Sequence, residues 1–254
     1  MPKETRRTVG AVKTSCEILN VLQDRRQAGV TEISEEVGLA KGAVHRHLTT
    51  LTECEYVVNE DGQYRLSLRY LDMANQVKEM VGNYDVIVNE LQNLAEDLGE
   101  IAQFATEEHG WVTYVYKANS ESGIQTASSA GKREYMHSTS LGKAMLAEMD
   151  EDRVNEILNK NGMPQKSDKT IASREELFDV LEQVRERGYA VDNEENIRGL
   201  RCVGTPLVDP ETGVFGAVSV SGPISRITED RIEGEIVDAL TRTTNVIEIN
   251  SKFA

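Results

Sequence analysis

No stretch of this 254-residue chain approaches the roughly 20 consecutive apolar residues that a bilayer-spanning helix needs. Met1-Pro-Lys-Glu-Thr-Arg-Arg7 is also too polar for the apolar centre of a secretory signal. These absences predict a cytoplasmic protein without membrane partners. Cysteine is scarce: Cys16, Cys54 and Cys202 form no C-x-x-C pair and suit a reducing compartment. Cys16 and Cys54 fall on apolar helical faces and are expected in a core. With only four histidines, no zinc spacing arises, so neither a metal site nor a cofactor is expected. Catalytic motifs are missing too. Gly131-Lys132 and Gly142-Lys143 lack the G-x-x-x-x-G-K-[ST] phosphate loop, and Ala217-Val-Ser219-Val-Ser221 lacks the glycines that shape a nucleophile elbow. No catalytic residue is assigned.

What is present begins at residue 31. Thr31-Glu-Ile-Ser-Glu-Glu-Val-Gly38 followed by Leu39 to Cys54 reads as two short amphipathic helices with a turn at Gly38. Thr31 is the expected cap of the first, with Glu32 against its positive end. Ile33 and Val37 face inward, and Val44, Leu48 and Leu51 follow at i, i+4, i+7 on the second. Val12, Cys16 and Leu19, with Ile18 and Leu22 beside them, supply a preceding third helix. Asp61-Gly62 between two β-prone runs is a strong hairpin signal. A hairpin directly after the second helix is a wing, so residues 1–66 are expected to form a winged helix-turn-helix that binds double-stranded DNA. The outward face of its second helix offers Lys41, Gly42, Ala43, His45, Arg46 and Thr49. Ala43 suits a thymine methyl and Arg46 a guanine or a phosphate. Thr31 and the wing residues Gln63 and Arg65 complete the candidate interface. The His45-x-His47 pair reads as groove-facing, not metal-binding.

The net charge of −15 argues against a DNA binder until it is divided along the chain. Residues 1–70 hold ten basic and ten acidic side chains, so the whole excess lies in 71–254. Such an acidic second half, with carboxylates at 107–108, 150–152, 194–195 and 229–230, is typical of haloarchaeal proteins, which tolerate self-repulsion because molar salt screens it. Ordinary cytoplasmic proteins reach the same acidity, and both readings stay open at this point.

Residues 67–82 carry apolar side chains at helical spacing and predict a linker helix. In 83–254 the pattern gives a helix over 85–98 with Val86, Leu91, Leu94 and Leu98 inward. Strands at 101–106 and 111–117 follow. A helix capped by Ser173 and Glu176 runs to Gly188, strands lie at 203–208 and 214–220, and a last helix starts at Thr228. Helices on one antiparallel sheet, with one face covered, make this an α+β domain.

The helix-turn-helix segment Val30 to Leu51 follows the pattern LTEIAxxxGLxKSTVHRxLxTL. Met136-His-Ser-Thr-Ser-Leu-Gly-Lys-Ala-Met-Leu-Ala147, Gly188 to Glu195, Gly199-Leu-Arg-Cys-Val-Gly204 and Val218-Ser-Val-Ser-Gly-Pro223 follow in order. Together these blocks resemble the IclR family of transcriptional regulators over nearly the whole chain. One departure is at the start of the recognition helix, where Ala40-Lys-Gly-Ala43 stands in place of Pro-Lys-Ser-Thr and loses two hydroxyls. The resemblance implies a GAF-like effector-binding domain over 83–254 and a dimer or a dimer of dimers. It also implies a small organic or sugar acid as effector, held by Ser140, Leu141, Asp192, Leu200, Cys202, Ser219 and Ser221. Asp192 is expected to take a ligand hydroxyl. The same residues have plainer readings as core, turn or strand positions. A small-acid enzyme and a ligand-independent DNA-binding protein remain as alternatives.

Overall fold

The computed structural model describes residues 8–120 and 129–251; the polar N-terminal heptapeptide lies outside them. The chain divides into two compact units, Met1–Met80 and Val81–Ala254.

In the first unit, α1 (Gly10–Arg25), α2 (Val30–Val37) and α3 (Lys41–Glu53) close around Ile18, Leu22, Ile33, Val44 and Leu48, all fully buried. Burial of each such side chain is worth about 1.5–3 kcal/mol, which holds helices that are individually too short to persist in water. Gly38 ends α2 in the left-handed region (φ 67°), where a Cβ would be strained. The wing is β2 (Val57–Glu60) and β3 (Gln63–Leu66), joined at Asp61 and Gly62 with φ of 53° and 85°. Two positive φ values give the primed turn that matches strand twist.

Several expectations fail here. A two-residue strand, β1 (Ala28–Gly29), pairs with β3 and runs straight into α2. The helix therefore starts at Val30 and its cap is Gly29, whose N–H donates to the Glu32 carboxylate at 2.7 Å. Thr31 sits exposed inside the first turn and does not cap. Cys16 and Val12 are exposed because α1 turns the Ile18, Val21 and Leu22 stripe inward and leaves the Val12–Cys16 stripe outside, and Cys54, at the C-terminal end of α3, is exposed as well. α4 (Arg69–Glu79) buries none of its residues; Leu68, Leu71, Met73, Val77 and Met80 are all exposed. Its start is tied to the wing side of the unit by Arg69, which donates to the Cys54 carbonyl and lies over the Tyr56 ring.

The second unit is built on six antiparallel strands in the order β6-β5-β4-β9-β8-β7. These are β4 (Ile101–Glu108), β5 (Trp111–Asn119), β6 (Arg133–Tyr135), β7 (Ala190–Asn193), β8 (Leu200–Asp209) and β9 (Gly213–Pro223). Both faces are covered, not one. On one side α5 (Tyr84–Leu98) and α10 (Val237–Ser251) pack on Ala102, Phe104, Val203, Val218 and Val220. On the other, α6 (Ser140–Ala147), α7 (Glu151–Asn161) and α8 (Arg174–Arg187) pack on Ala105, Val112, Ala190 and Ala217. Alternation within single strands does not show this second layer, because β4 is buried at five successive positions, the pattern of a doubly covered strand. The inward residue of α5 is Ile87, with Val86 only half-buried. β6, β7 and α7 were not expected. α10 is preceded by the short α9 (Glu229–Arg231), which Thr228 caps, and a π turn over Ile232–Ile236.

Asp150, Glu151, Asp152, Glu108, Glu229 and Asp230 are exposed, whereas Glu195 is buried, so the acidic surface is real but smaller than the sequence pairs imply. If its self-repulsion is of the halophilic kind, the melting temperature should climb steeply from dilute to molar KCl. A flat thermal-denaturation series would reject that origin for the acidity.

Candidate functional site

Two separate constellations carry the chemistry. On α3, Lys41, Gly42, His45, Arg46 and Thr49 are exposed and Ala43 is half-buried. Lys41 and Arg46 make no ion pair among the described residues, so both cations are available to phosphate or base. Thr49 donates back to the His45 carbonyl at 2.9 Å, which leaves its oxygen as an acceptor. His47 does not face outward with His45. It is half-buried against α1, with its Nδ1 2.9 Å from the Ser15 hydroxyl, because positions 43 and 47 flank the apolar stripe. On the wing, Gln63 is exposed and Arg65 is paired with Glu60 across the hairpin, so part of the Arg65 charge is already answered.

The second constellation is a cavity between the sheet and α6. Period-two alternation puts Leu200, Cys202 and Gly204 of β8, Ser219 and Ser221 of β9, Gln103 of β4 and Asp192 of β7 on the same face. Register then aligns them: Asp192 lies opposite Cys202, Cys202 opposite Ser221, and Gly204 opposite Ser219, which is opposite Gln103. Above them α6 begins, capped by the Thr139 hydroxyl, which accepts from the Gly142 N–H at 3.0 Å. The close approach requires glycine. A Cβ on Gly204 would lie 2.9 Å from the Ser140 carbonyl carbon and 3.1 Å from the Leu141 nitrogen.

All seven residues singled out for the effector, Ser140, Leu141, Asp192, Leu200, Cys202, Ser219 and Ser221, line this one cavity. Gln103, Tyr114, Lys132, Glu134, Thr139, Asn196 and Ile197 line it as well. Gln103 left a trace in the sequence, as the lone polar residue within Ile101-Ala-Gln-Phe-Ala105. Asp192 is buried, and its Oδ1 accepts from the Glu195 and Asn196 N–H groups at 2.7 and 3.3 Å. The turn role is thus present alongside the lining role. Burial raises its pKa from 3.8 to about 7, opposed by Lys143 and reinforced by Glu195. Burial likewise keeps Cys202 a thiol. Ser221 donates to Gln103 Oε1 at 3.1 Å. Ser219, also buried, has a hydroxyl with no partner among the described residues.

Beside the cavity, the buried Lys143 of α6 is bonded to Glu195 and donates to the Val191 carbonyl at 2.6 Å. Glu134 at the β6 edge is paired with Lys132 and Lys166 at 3.2 and 3.4 Å. His137 is held neutral by burial, with its Nε2 3.2 Å from the Pro164 carbonyl. No cluster of His, Cys, Asp and Glu suited to a metal occurs among the described residues, and no described helix is long and apolar enough to cross a membrane.

A winged helix-turn-helix joined to an α/β unit with a cavity between sheet and helix is the make-up of a DNA-binding regulator with a ligand-binding domain. The chain belongs to the IclR family: the family model described as "Bacterial transcriptional regulator IclR C-terminal" matches residues 83–249, and "IclR helix-turn-helix domain" matches 14–61. The HTH-type transcriptional regulator KdgR of Escherichia coli is 34% identical over 221 residues, which are 85% of this chain and 83% of that one. The regulator designated ArcR in Halobacterium salinarum is 27% identical over 252 residues, 98% of this chain and 96% of its own. Among solved structures, an IclR homolog from Microbacterium hydrocarbonoxydans complexed with 4-hydroxybenzoate superposes with a TM-score of 0.80 at 19% identity, covering 96% of this chain and 100% of that one. These relatives are regulators, not enzymes, and the chain is accordingly a transcriptional regulator with a DNA-binding and a ligand-binding domain.

Proposed function

We propose that the chain binds operator DNA through α3 and the wing, in the cytoplasm, and that a small hydroxylated organic acid in the α6 cavity controls that binding. The observation that carries the effector reading is the Ser219 hydroxyl, a buried donor without a partner in a cavity onto which the first turn of α6 opens. An unpaired buried hydroxyl costs about 1–3 kcal/mol, a cost that a ligand oxygen would remove. Helix geometry leaves the Ser140 and Leu141 N–H groups without intrahelical acceptors, and the dipole there favours a carboxylate.

Composition of the wall narrows the ligand. Leu141, Ile197 and Leu200 share the wall with oxygen-bearing groups such as Gln103, Ser219 and Ser221, which suits a small acid with both an apolar and a hydrogen-bonding part. The volume of about 40 Å³ holds a few waters at roughly 10–15 Å³ each, which favours a compact molecule. A ligand that prefers one arrangement of the protein changes DNA affinity by the same coupling free energy, commonly about 1–3 kcal/mol. Self-association as a dimer, or as a dimer of dimers, is supported by the exposed apolar side chains along α4.

Ser219→Ala tests the effector half. Removing the orphan hydroxyl should leave the fold intact or slightly firmer, while affinity for an acid that binds the wild type drops by about 1.5–3 kcal/mol. Operator binding measured by anisotropy without the acid should not change. Full ligand response in the variant would move the site elsewhere. Arg46→Ala tests the DNA half: a loss of about 1–3 kcal/mol with relaxed specificity at one base pair marks a guanine contact, and a uniform loss marks a phosphate. Unaltered gel-shift titrations would remove Arg46 from the interface.

A further inference from the structure

The charges around the cavity do not balance for an anionic ligand. At its inner end, α6 contributes one ammonium, Lys143, and the β7 side contributes two carboxylates, Glu195 and Asp192. Lys143 is already engaged with Glu195 and the Val191 carbonyl. At the outer end Glu134 takes both Lys132 and Lys166. Tyr114 of β5 and Cys202 of β8, the remaining titratable groups facing Asp192, are both pushed upward by burial and stay neutral. A carboxylate entering beside Asp192 would join Asp192 and Glu195 against the single Lys143 ammonium at this inner end, and like charges at such range are not sustained away from water.

We propose that Asp192 is a specificity-determining hydrogen-bond donor of the effector pocket, and that an acid ligand enters as its anion together with one proton, carried by Asp192. This rests on the effector reading of the cavity given above. Oδ1 accepts two backbone N–H groups, and the carboxylate also takes a hydrogen bond from the Cys202 thiol. The proton is placed on Oδ2, the oxygen free of backbone donors, and is drawn from solvent with no bond formed except O–H. So protonated, Asp192 presents a donor to a ligand oxygen instead of an acceptor to a ligand hydroxyl, and the pocket discriminates in favour of carboxylate or keto oxygen at that position. Its upward-shifted titration (to about 7) agrees with the geometry, since little added anionic potential is then needed to complete protonation near neutrality.

The test uses the full-length protein and a panel of glycolate, D-glycerate and D-gluconate. Binding is followed by calorimetry in two buffers of different ionisation enthalpy, at about pH 5.5 and about pH 8. The expected result is uptake of close to one proton per bound acid at the higher pH and close to none at the lower. Affinity should weaken about tenfold per pH unit above the Asp192 titration. Asp192→Asn, whose amide oxygen can still accept the Glu195 and Asn196 N–H groups, should bind without proton uptake and without that pH dependence. Zero uptake in the wild type at the higher pH, or the same uptake in the variant, overturns the proposal and leaves the effector reading standing. If no panel acid binds at either pH to protein that still binds operator, the effector reading itself fails and the proposal fails with it. The wild-type pH series alone decides the matter should the variant not fold.

Discussion

Lys143→Met should destabilise the full-length protein by about 3–5 kcal/mol, the loss measured when one partner of a buried ion pair is removed and the other is left behind. The site meets the conditions for the large value. Lys143 and Glu195 have side chains only 1% and 8% exposed, so water cannot take over the abandoned carboxylate. Glu195 Oε2 already has no hydrogen-bond partner among the described residues, so the lysine is the main answer to its charge. The methionine stem fills much of the lysine's volume, and the loss is therefore electrostatic rather than a cavity effect. Lys143 also ties α6 to the Val191 carbonyl of β7. Urea unfolding should show the drop in the midpoint. The double variant with Glu195→Leu should recover most of it, since replacing both partners by apolar groups removes the stranded charge. A Lys143→Met protein as stable as the wild type would show that the pair contributes nothing net.

That pair also shows what a sequence can and cannot disclose. The helix-turn-helix was legible because its signals are local: Gly38 in the left-handed region, Val44, Leu48 and Leu51 on one face, and Asp61-Gly62 at a primed turn depend on neighbours within a few residues. The cap of α2 is not legible locally, because it depends on a pairing between Ala28–Gly29 and Gln63–Tyr64 more than thirty residues away, and nothing around Thr31 hints at it. The place of His47 is hidden for the same reason, its partner Ser15 lying on another helix.

In the second unit the blocks around Ser140, Asp192, Cys202 and Ser219 were recognisable as blocks, but their meeting at one cavity is a matter of strand order. The sequence neighbours β4 and β5 pair as expected. β9 then inserts beside β4 and carries β8 and β7 to the far edge, and it is this that aligns Asp192, Cys202 and Ser221 in one row. Local alternation names the face of each strand but not the order of strands in the sheet. Lys143 was visible only as a lysine in an otherwise apolar helix, and Glu195 was counted as surface charge, because burial of a charge is legible only when its partner is in place.

Asp192→Asn should make folding stability less dependent on pH, with the variant gaining on the wild type as pH rises. The sign follows from linkage. The folded state holds the Asp192 proton up to about pH 7, whereas the unfolded chain releases it near the ordinary value of 3.8. Between these values the folded state binds more protons than the unfolded one, so Asp192 makes stability fall as pH rises through that window and then level off above it. Roughly three units at about 1.36 kcal/mol each amount to about 4 kcal/mol across the whole window. Of this, roughly 2–3 kcal/mol falls between pH 5 and pH 8, where the protein can be compared with the variant under mild conditions. Asparagine never ionises and keeps an acceptor for the Glu195 and Asn196 N–H groups, so the turn survives and the charge alone is removed. Denaturant titrations of both proteins at constant salt across that range should give curves that converge on the acid side and separate toward the alkaline side, with the variant above. Parallel curves would mean that Asp192 ionises at its ordinary value in the folded protein and that water reaches it. Parallel curves with the variant the lower at every pH would carry the same conclusion and would show in addition that the aspartate serves its turn better than asparagine, so that the cavity would contain no carboxylate whose proton is held by burial.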